Sequence, residues 1–182
     1  MIKPIYLFGS GVLREPAAEI DINDREAVAA LITDLKDTLA KADGCGLAAP
    51  QIGVPLRVLI VTGDGLEDAY PYLKGFKRTM INPEIVDESH EKSTFSEGCL
   101  SVPGVYADVT RPSAITGRYY DEDLKQVEER LDKFACRMVQ HEMDHLDGII
   151  FVDKVAPIRK KMIAKKLQNI SRGKVSTSYK TK

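Results

Sequence analysis

The sequence predicts an α+β fold on three observations. An amphipathic helix comes early. Short apolar strand signals follow it without the regular helical crossovers of a parallel doubly wound sheet. Two further helical stretches lie towards the C-terminus. The first helix is expected from Asn23 to Asp43, where Val28, Leu31, Ile32, Leu35 and Leu39 recur at helical spacing. Asn23 or Asp24 can cap its start and Gly44 can end it. Leu56 to Val61 reads as a buried strand. Met80 to Val86 reads as another, broken by the Asn82-Pro83 turn signal. Val109 to Tyr120 and Lys125 to Leu131 look like two strands joined by the acidic Asp121-Glu122-Asp123 turn. A second helix starts at the N-cap candidate Asp132, runs to His145 or Leu146 and stops at Gly148. A third covers Pro157 to Ser171, carries Ile158, Met162, Leu167 and Ile170, and ends at Gly173.

The chain of 182 residues suits one domain with a sizeable core. We divide it as residues 1–156, which carry the chemistry, and residues 157–182, a basic helix and tail of the same domain. Its 43% hydrophobic and 29% charged content is that of an ordinary globular protein. No apolar run approaches the ~18 residues that span a membrane. The N-terminus lacks the long apolar stretch of a signal peptide, so a cytoplasmic protein with no membrane partner is expected. Three cysteines, Cys45, Cys99 and Cys136, argue against a disulfide framework and leave metal binding or catalysis as thiol roles. From Arg159 to Lys182 there are nine Lys or Arg and no acid, although the whole chain carries −1. That stretch is either a solvated helix and tail or a contact for a polyanion such as RNA.

Chemistry is concentrated in His141-Glu142-Met143-Asp144-His145. Histidines at i and i+4 share a helix face, so both imidazoles can reach one ion. Glu142, about 100° round the helix, can flank that ion and act as general base on a water. A catalytic site needs a third ligand and an open position. No histidine follows His145, and His90 lies in a charged, surface-like stretch. The third ligand is therefore expected upstream, with Cys99 in Glu97-Gly98-Cys99-Leu100-Ser101 the best candidate. Cys136 sits some 140° round from His141 and reads as core. Ligating imidazoles usually need partners to orient them, and the sequence does not show whether Asp144 and Glu97 serve. Without a metal, the same helix would simply pack or solvate its histidines.

A second unusual segment is Gly44-Cys45-Gly46-Leu47-Ala48-Ala49-Pro50-Gln51. Its small side chains expose backbone for pairing with an extended peptide, and the Gln51 amide could stabilise an oxyanion. The plainer reading is a turn of small residues between helix and strand.

Taken together, residues 44–51, 97–101 and Gln140 to Gly148 resemble the three signature motifs of peptide deformylase, in order and at the family's spacing. The resemblance runs from about Tyr6 to Val155. It implies antiparallel and mixed sheets around a central helix bearing the two histidines, plus a C-terminal helix. The implied activity is metal-hydroxide hydrolysis of the formyl group from the N-terminal formyl-methionine of nascent polypeptides, releasing formate. Cys99, His141 and His145 would be metal ligands and Glu142 the general acid/base. Gln51 and the Leu100 N–H would form the oxyanion hole. Gly46, Gly98 and the Cys45 backbone would pair with substrate. The implied cofactor is Fe2+, with zinc or nickel able to substitute, and a thiolate beside ferrous iron implies oxygen sensitivity. The basic C-terminal helix resembles a segment through which some members contact the ribosome. A monomer is expected.

Two departures stand out. Cys45 adds a second thiol near the site. Arg137 places a charge where some relatives have an apolar residue beside the methionine pocket. Competing readings are another metal hydrolase, such as a zinc peptidase, and a non-catalytic metal-stabilised RNA binder.

Overall fold

A computed structural model describes residues Met1–Lys182. Helix α1, Arg25–Ala42, turns Val28, Leu31, Ile32, Leu35 and Leu39 inward, as the periodicity requires. Asp24 caps it by accepting from the Ala27 N–H at 3.0 Å. Its last residue, Ala42, falls two residues before Gly44. Asp43 takes the left-handed conformation at φ 56° and donates to Leu39 O.

A five-stranded sheet follows, in the order β1-β2-β3-β6-β7. Its strands are β1, Gly46–Ala48, β2, Val58–Thr62, β3, Lys77–Glu88, β6, Ala114–Tyr120, and β7, Gln126–Asp132. A two-stranded hairpin of β4, Lys92–Cys99, and β5, Val102–Pro112, stands apart. All these strands pair antiparallel, and parallel pairing enters only as isolated bridges, Ile5 with Thr181 and Ala18 with Leu56.

Three strand expectations are corrected. Asn82-Pro83 does not break β3 but bulges it: Asn82 adopts φ 49° and clamps Ile20 through both of that residue's backbone groups at 2.9 Å. The single strand expected from Val109 to Tyr120 is two strands in two sheets. Pro112 has no N–H to continue a ladder, so the chain leaves the hairpin there and enters the larger sheet after Ser113. β4 was not foreseen, because Lys-Ser-Thr-Phe-Ser is exposed and has no apolar alternation.

Helix α2, Lys133–Leu146, is central. Asp132 holds the N-cap position without a side-chain capping bond, and Lys133 turns the chain at φ 53°. One face of α2 packs Ala135, Cys136, Met138, Val139, Met143 and Leu146 against the sheet through Leu59, Ile115 and Leu131. Each fully buried aliphatic side chain there contributes about 1.5–3 kcal/mol. Helix α3, Pro157–Ser171, sends Ile163 and Ile170 into a core shared with Leu7, Leu13, Val105 and Phe151. Ile158 and Met162, also carried by this helix, are 73% and 68% exposed. No helix is long and apolar enough to cross a membrane.

Candidate metal centre

The inner end of the hairpin lies against α2. Glu97 and Cys99 close β4, and His141 and His145 are one turn apart on α2, their ring centroids separated by 5.3 Å. The donor atoms of Cys99, His141 and His145 all lie within 4.8 Å of one another. Cys99 Sγ is 3.3 Å from His145 Nε2. A tetrahedral ion with bonds of ~2.3 Å to sulfur and ~2.1 Å to nitrogen would set that pair about 3.6 Å apart. One sulfur and two imidazoles suit a borderline-soft divalent ion and leave one position open. His90 is exposed and takes no part, and Cys136 is fully buried among apolar neighbours.

A buried ion network orients these side chains. His141 Nδ1 meets Glu97 Oε1 at 2.8 Å, which leaves Nε2 for the ion. Glu97 also accepts from Arg111 Nε at 2.7 Å and from the Arg137 guanidinium at 2.6 Å. Arg111 in turn donates to Asp144 at 2.7 Å. Burial alone would raise the Glu97 pKa, but the hydrogen bonds from Arg111 and His141 hold it well below the usual carboxylate range. Arg137 therefore does not set a free charge in the cleft. Its guanidinium is held by Glu97, Val109 O and Ser93 O and stacks over Phe95 at 5.0 Å.

Sequence reading missed Arg111, and its signal lay in the strand phase. Arg111 falls in step with the inward residues Val105, Ala107 and Val109, where a charge has to be paired.

Glu142 is 5% exposed and its Oε2 has no hydrogen-bond partner. Burial pushes its pKa up to about 7. A carboxyl in that state can exchange a proton near neutral pH. Gln51 stands across the site. Its Oε1 accepts from the Ala48 N–H at 2.8 Å, which fixes the amide so that Nε2 points at Ser101 Oγ, 3.1 Å, and Cys99 Sγ, 3.5 Å. Leu100, Cys45, Gly46 and Gly98 line the same cleft of about 580 Å³. Burial, reinforced by Glu142, pushes the Cys45 thiol up to about 11 and keeps it neutral, so thiolate chemistry there is suppressed.

The small-residue segment is thus more than a turn. Gly46 opens edge strand β1, and Gln51 lies in the 3-10 turn that follows it.

The two glycines make different demands. A Cβ on Gly46 would sit 2.5 Å from Glu142 Oε1, whereas one on Gly98 would meet only the Tyr106 ring, 64% exposed, at 2.6 Å. Gly46→Ala is expected to lower activity by about tenfold or more by displacing the carboxyl. Gly98→Ala should cost a few-fold at most because Tyr106 can swing away. Steady-state kinetics of both variants check this, and equal losses would contradict it.

The family model for Polypeptide deformylase matches residues 2–161. The chain belongs to this family. A peptide deformylase of Flavobacterium psychrophilum is 42% identical across all of this chain and 97% of its own. One from Pseudothermotoga lettingae is 43% identical over 98% of each. The crystal structure of a peptide deformylase from Legionella pneumophila superposes with a TM-score of 0.82 at 37% identity, covering 96% of this chain and 98% of that one. This deformylase is a metal-dependent hydrolase with an α+β fold, and the segments that carried the resemblance are those that converge on Cys99, His141 and His145.

Proposed function

We propose that the chain hydrolyses the formyl group from the N-terminal formyl-methionine of newly synthesised polypeptides, with Cys99, His141 and His145 holding Fe2+. The observation that carries this reading is the convergence of those three donors beside buried Glu142. Zinc or nickel would suit the same donors. When bound, the ion supplies Lewis acidity and a water acidic enough to attack near neutral pH.

The remaining work falls to the protein. Glu142 takes the proton of the attacking water and delivers it to the methionine nitrogen as the C–N bond breaks, releasing formate and a free amine. Gln51 Nε2 and the Leu100 N–H donate to the oxygen that gains charge in the tetrahedral transition state. Gln51 enters that role already oriented by Ala48. The substrate backbone lies extended between Cys45 and Gly46, at the start of edge strand β1, and β4 at Gly98, as an added strand. Burial of the cleft strengthens each of these interactions.

Residues 1–156 and 157–182 act as one catalytic unit and one monomer in this reading. Sharing of a single core by α3 and the N-terminal segment supports the first point. Exposed Lys160, Lys161, Lys165 and Lys166, with exposed Ile158 and Met162 between them, support contact of α3 with the ribosome's anionic surface. A cytoplasmic location follows from the substrate.

An anaerobic assay of iron-loaded protein on a formyl-methionyl peptide and its acetyl analogue tests the proposal. Turnover of the formyl peptide, with the acetyl peptide at least about tenfold slower, is expected. No turnover of the formyl peptide would sink it.

A further inference from the structure

The last residues of the chain reach the active cleft by two routes. After α3 the chain turns at Gly173 and returns to the N-terminal segment. The Ile5 N–H donates to Lys180 O, the Leu7 N–H to Lys182 O and the Lys182 N–H to Ile5 O, each at 2.9 Å. The intervening residues donate elsewhere: the Tyr6 N–H to Gln51 O and the Phe8 N–H to Ser101 O, both at 2.8 Å. Alternate residues of an extended segment present their N–H groups to opposite edges. Residues 5–8 therefore link the tail on one side to the backbone of Gln51 and Ser101 on the other.

The second route is direct. The half-buried Tyr179 hydroxyl donates to Leu100 O at 2.7 Å, and both residues pack against the core that holds α1 and β2. The same Leu100–Ser101 peptide donates its N–H to Cys99 Sγ at 3.4 Å. A donor on a carbonyl oxygen polarises the peptide and strengthens donation from its N–H. One peptide thus connects a tail hydroxyl to the sulfur of Cys99. Ser176, Thr177 and Ser178 line the cleft beside it.

We propose that the segment Thr177–Lys182 is part of the active site and that Tyr179 is a positioning residue, holding the Leu100–Ser101 peptide in the orientation that catalysis requires. Its kinetic consequence rests on the deformylase reading; its effect on the peptide does not. Tyr179 acts through Leu100 and Ser101 and does not touch the reacting atoms. The tail also lines the cleft through Thr177, Ser178 and Tyr179, so it is placed to contact side chains of a bound peptide.

The test uses Tyr179→Phe in the full chain, which keeps the ring and removes only the hydroxyl. In metal-free protein, amide NMR is expected to show the Ser101 N–H shifted and exchanging about two- to tenfold faster, the range that loss of one neutral hydrogen bond allows. In iron-loaded protein, kcat should fall by about the same factor with KM within about twofold. A chain ending at Ser176 should lose at least as much kcat and also raise KM for longer peptides. A role confined to fastening the tail would lower the melting temperature and leave the Ser101 amide and kcat unmoved. That result in Tyr179→Phe overturns the proposal. If wild-type protein fails to turn over formyl peptides, the deformylase reading fails, while the Ser101 amide still decides the role of Tyr179.

Discussion

Glu142→Gln is expected to retain a full complement of metal and to lose about 10²- to 10⁴-fold in kcat, the usual contribution of a positioned acid–base group. Glutamine keeps the size and nearly the shape of the side chain, so the close contact with Gly46 persists. It cannot accept the water proton or return it to the leaving nitrogen. The group is exposed to this loss because nothing else nearby can take over. Glu142 is 5% exposed, and its Oε2 has no partner. Glu97 is held ionised by Arg111 and His141, and Asp144 is engaged by Arg111. A fall in kcat with little change in KM would show an interaction made in the transition state. Metal analysis alongside stopped-time product assays checks the result. Undiminished turnover would remove Glu142 from the mechanism.

The second large effect is structural. Glu97→Ala leaves Arg111 and Arg137, 3% and 4% exposed, facing each other across an empty carboxylate site. Arg111 keeps Asp144, and Arg137 keeps Ser93 O and Val109 O. Breaking a buried pair from one side costs about 3–5 kcal/mol, which for a domain of this size lowers the melting temperature by roughly 10 °C or more. His141 also loses the acceptor that fixes its ring, so metal affinity should drop by about 10- to 100-fold.

The acid limb of stability gives an independent check. The folded pKa of Glu97 lies far below its unfolded value of about 4.3. Its contribution is therefore fully present above about pH 5. It is lost progressively as pH falls below about 4 towards the folded value, because there the unfolded chain binds the extra proton. Wild type should show a steeper loss of stability below about pH 4 than Glu97→Gln, measured by urea unfolding against pH. Parallel curves would mean that Glu97 is not held in this network.

The sequence made the helices and the cluster of Cys99, His141 and His145 legible, for definite physical reasons. Val28 to Leu39 and Ala135 to Leu146 carry a helical period that burial enforces. Two of three histidines stand four apart on one helix, and Cys99 follows a glycine within Glu97-Gly98-Cys99-Leu100-Ser101. Glu142, Gln51 and Cys99 were therefore legible as chemistry before their positions were known.

What was not legible depends on pairing across long sequence separations. β4 is polar and exposed, so only its partner β5 defines it. The change of sheet at Pro112-Ser113 looks like one continuous apolar run until the two ladders are seen. Arg111 was hidden because the strand that sets its phase was placed too late. The tail gives no local sign of its role: Val-Ser-Thr-Ser-Tyr has no period, and its function comes from meeting Leu100, 79 residues upstream of Tyr179.

One sulfur from β4 and two imidazoles from α2 are expected to hold a single ion. X-ray absorption at the zinc edge of zinc-loaded protein tests this most directly. One sulfur scatterer at about 2.3 Å and two imidazole nitrogens at about 2.0–2.1 Å are expected, with the sulfur shell absent in Cys99→Ser. A first shell of nitrogen and oxygen alone in the wild-type protein, or a sulfur shell that survives Cys99→Ser, would contradict it.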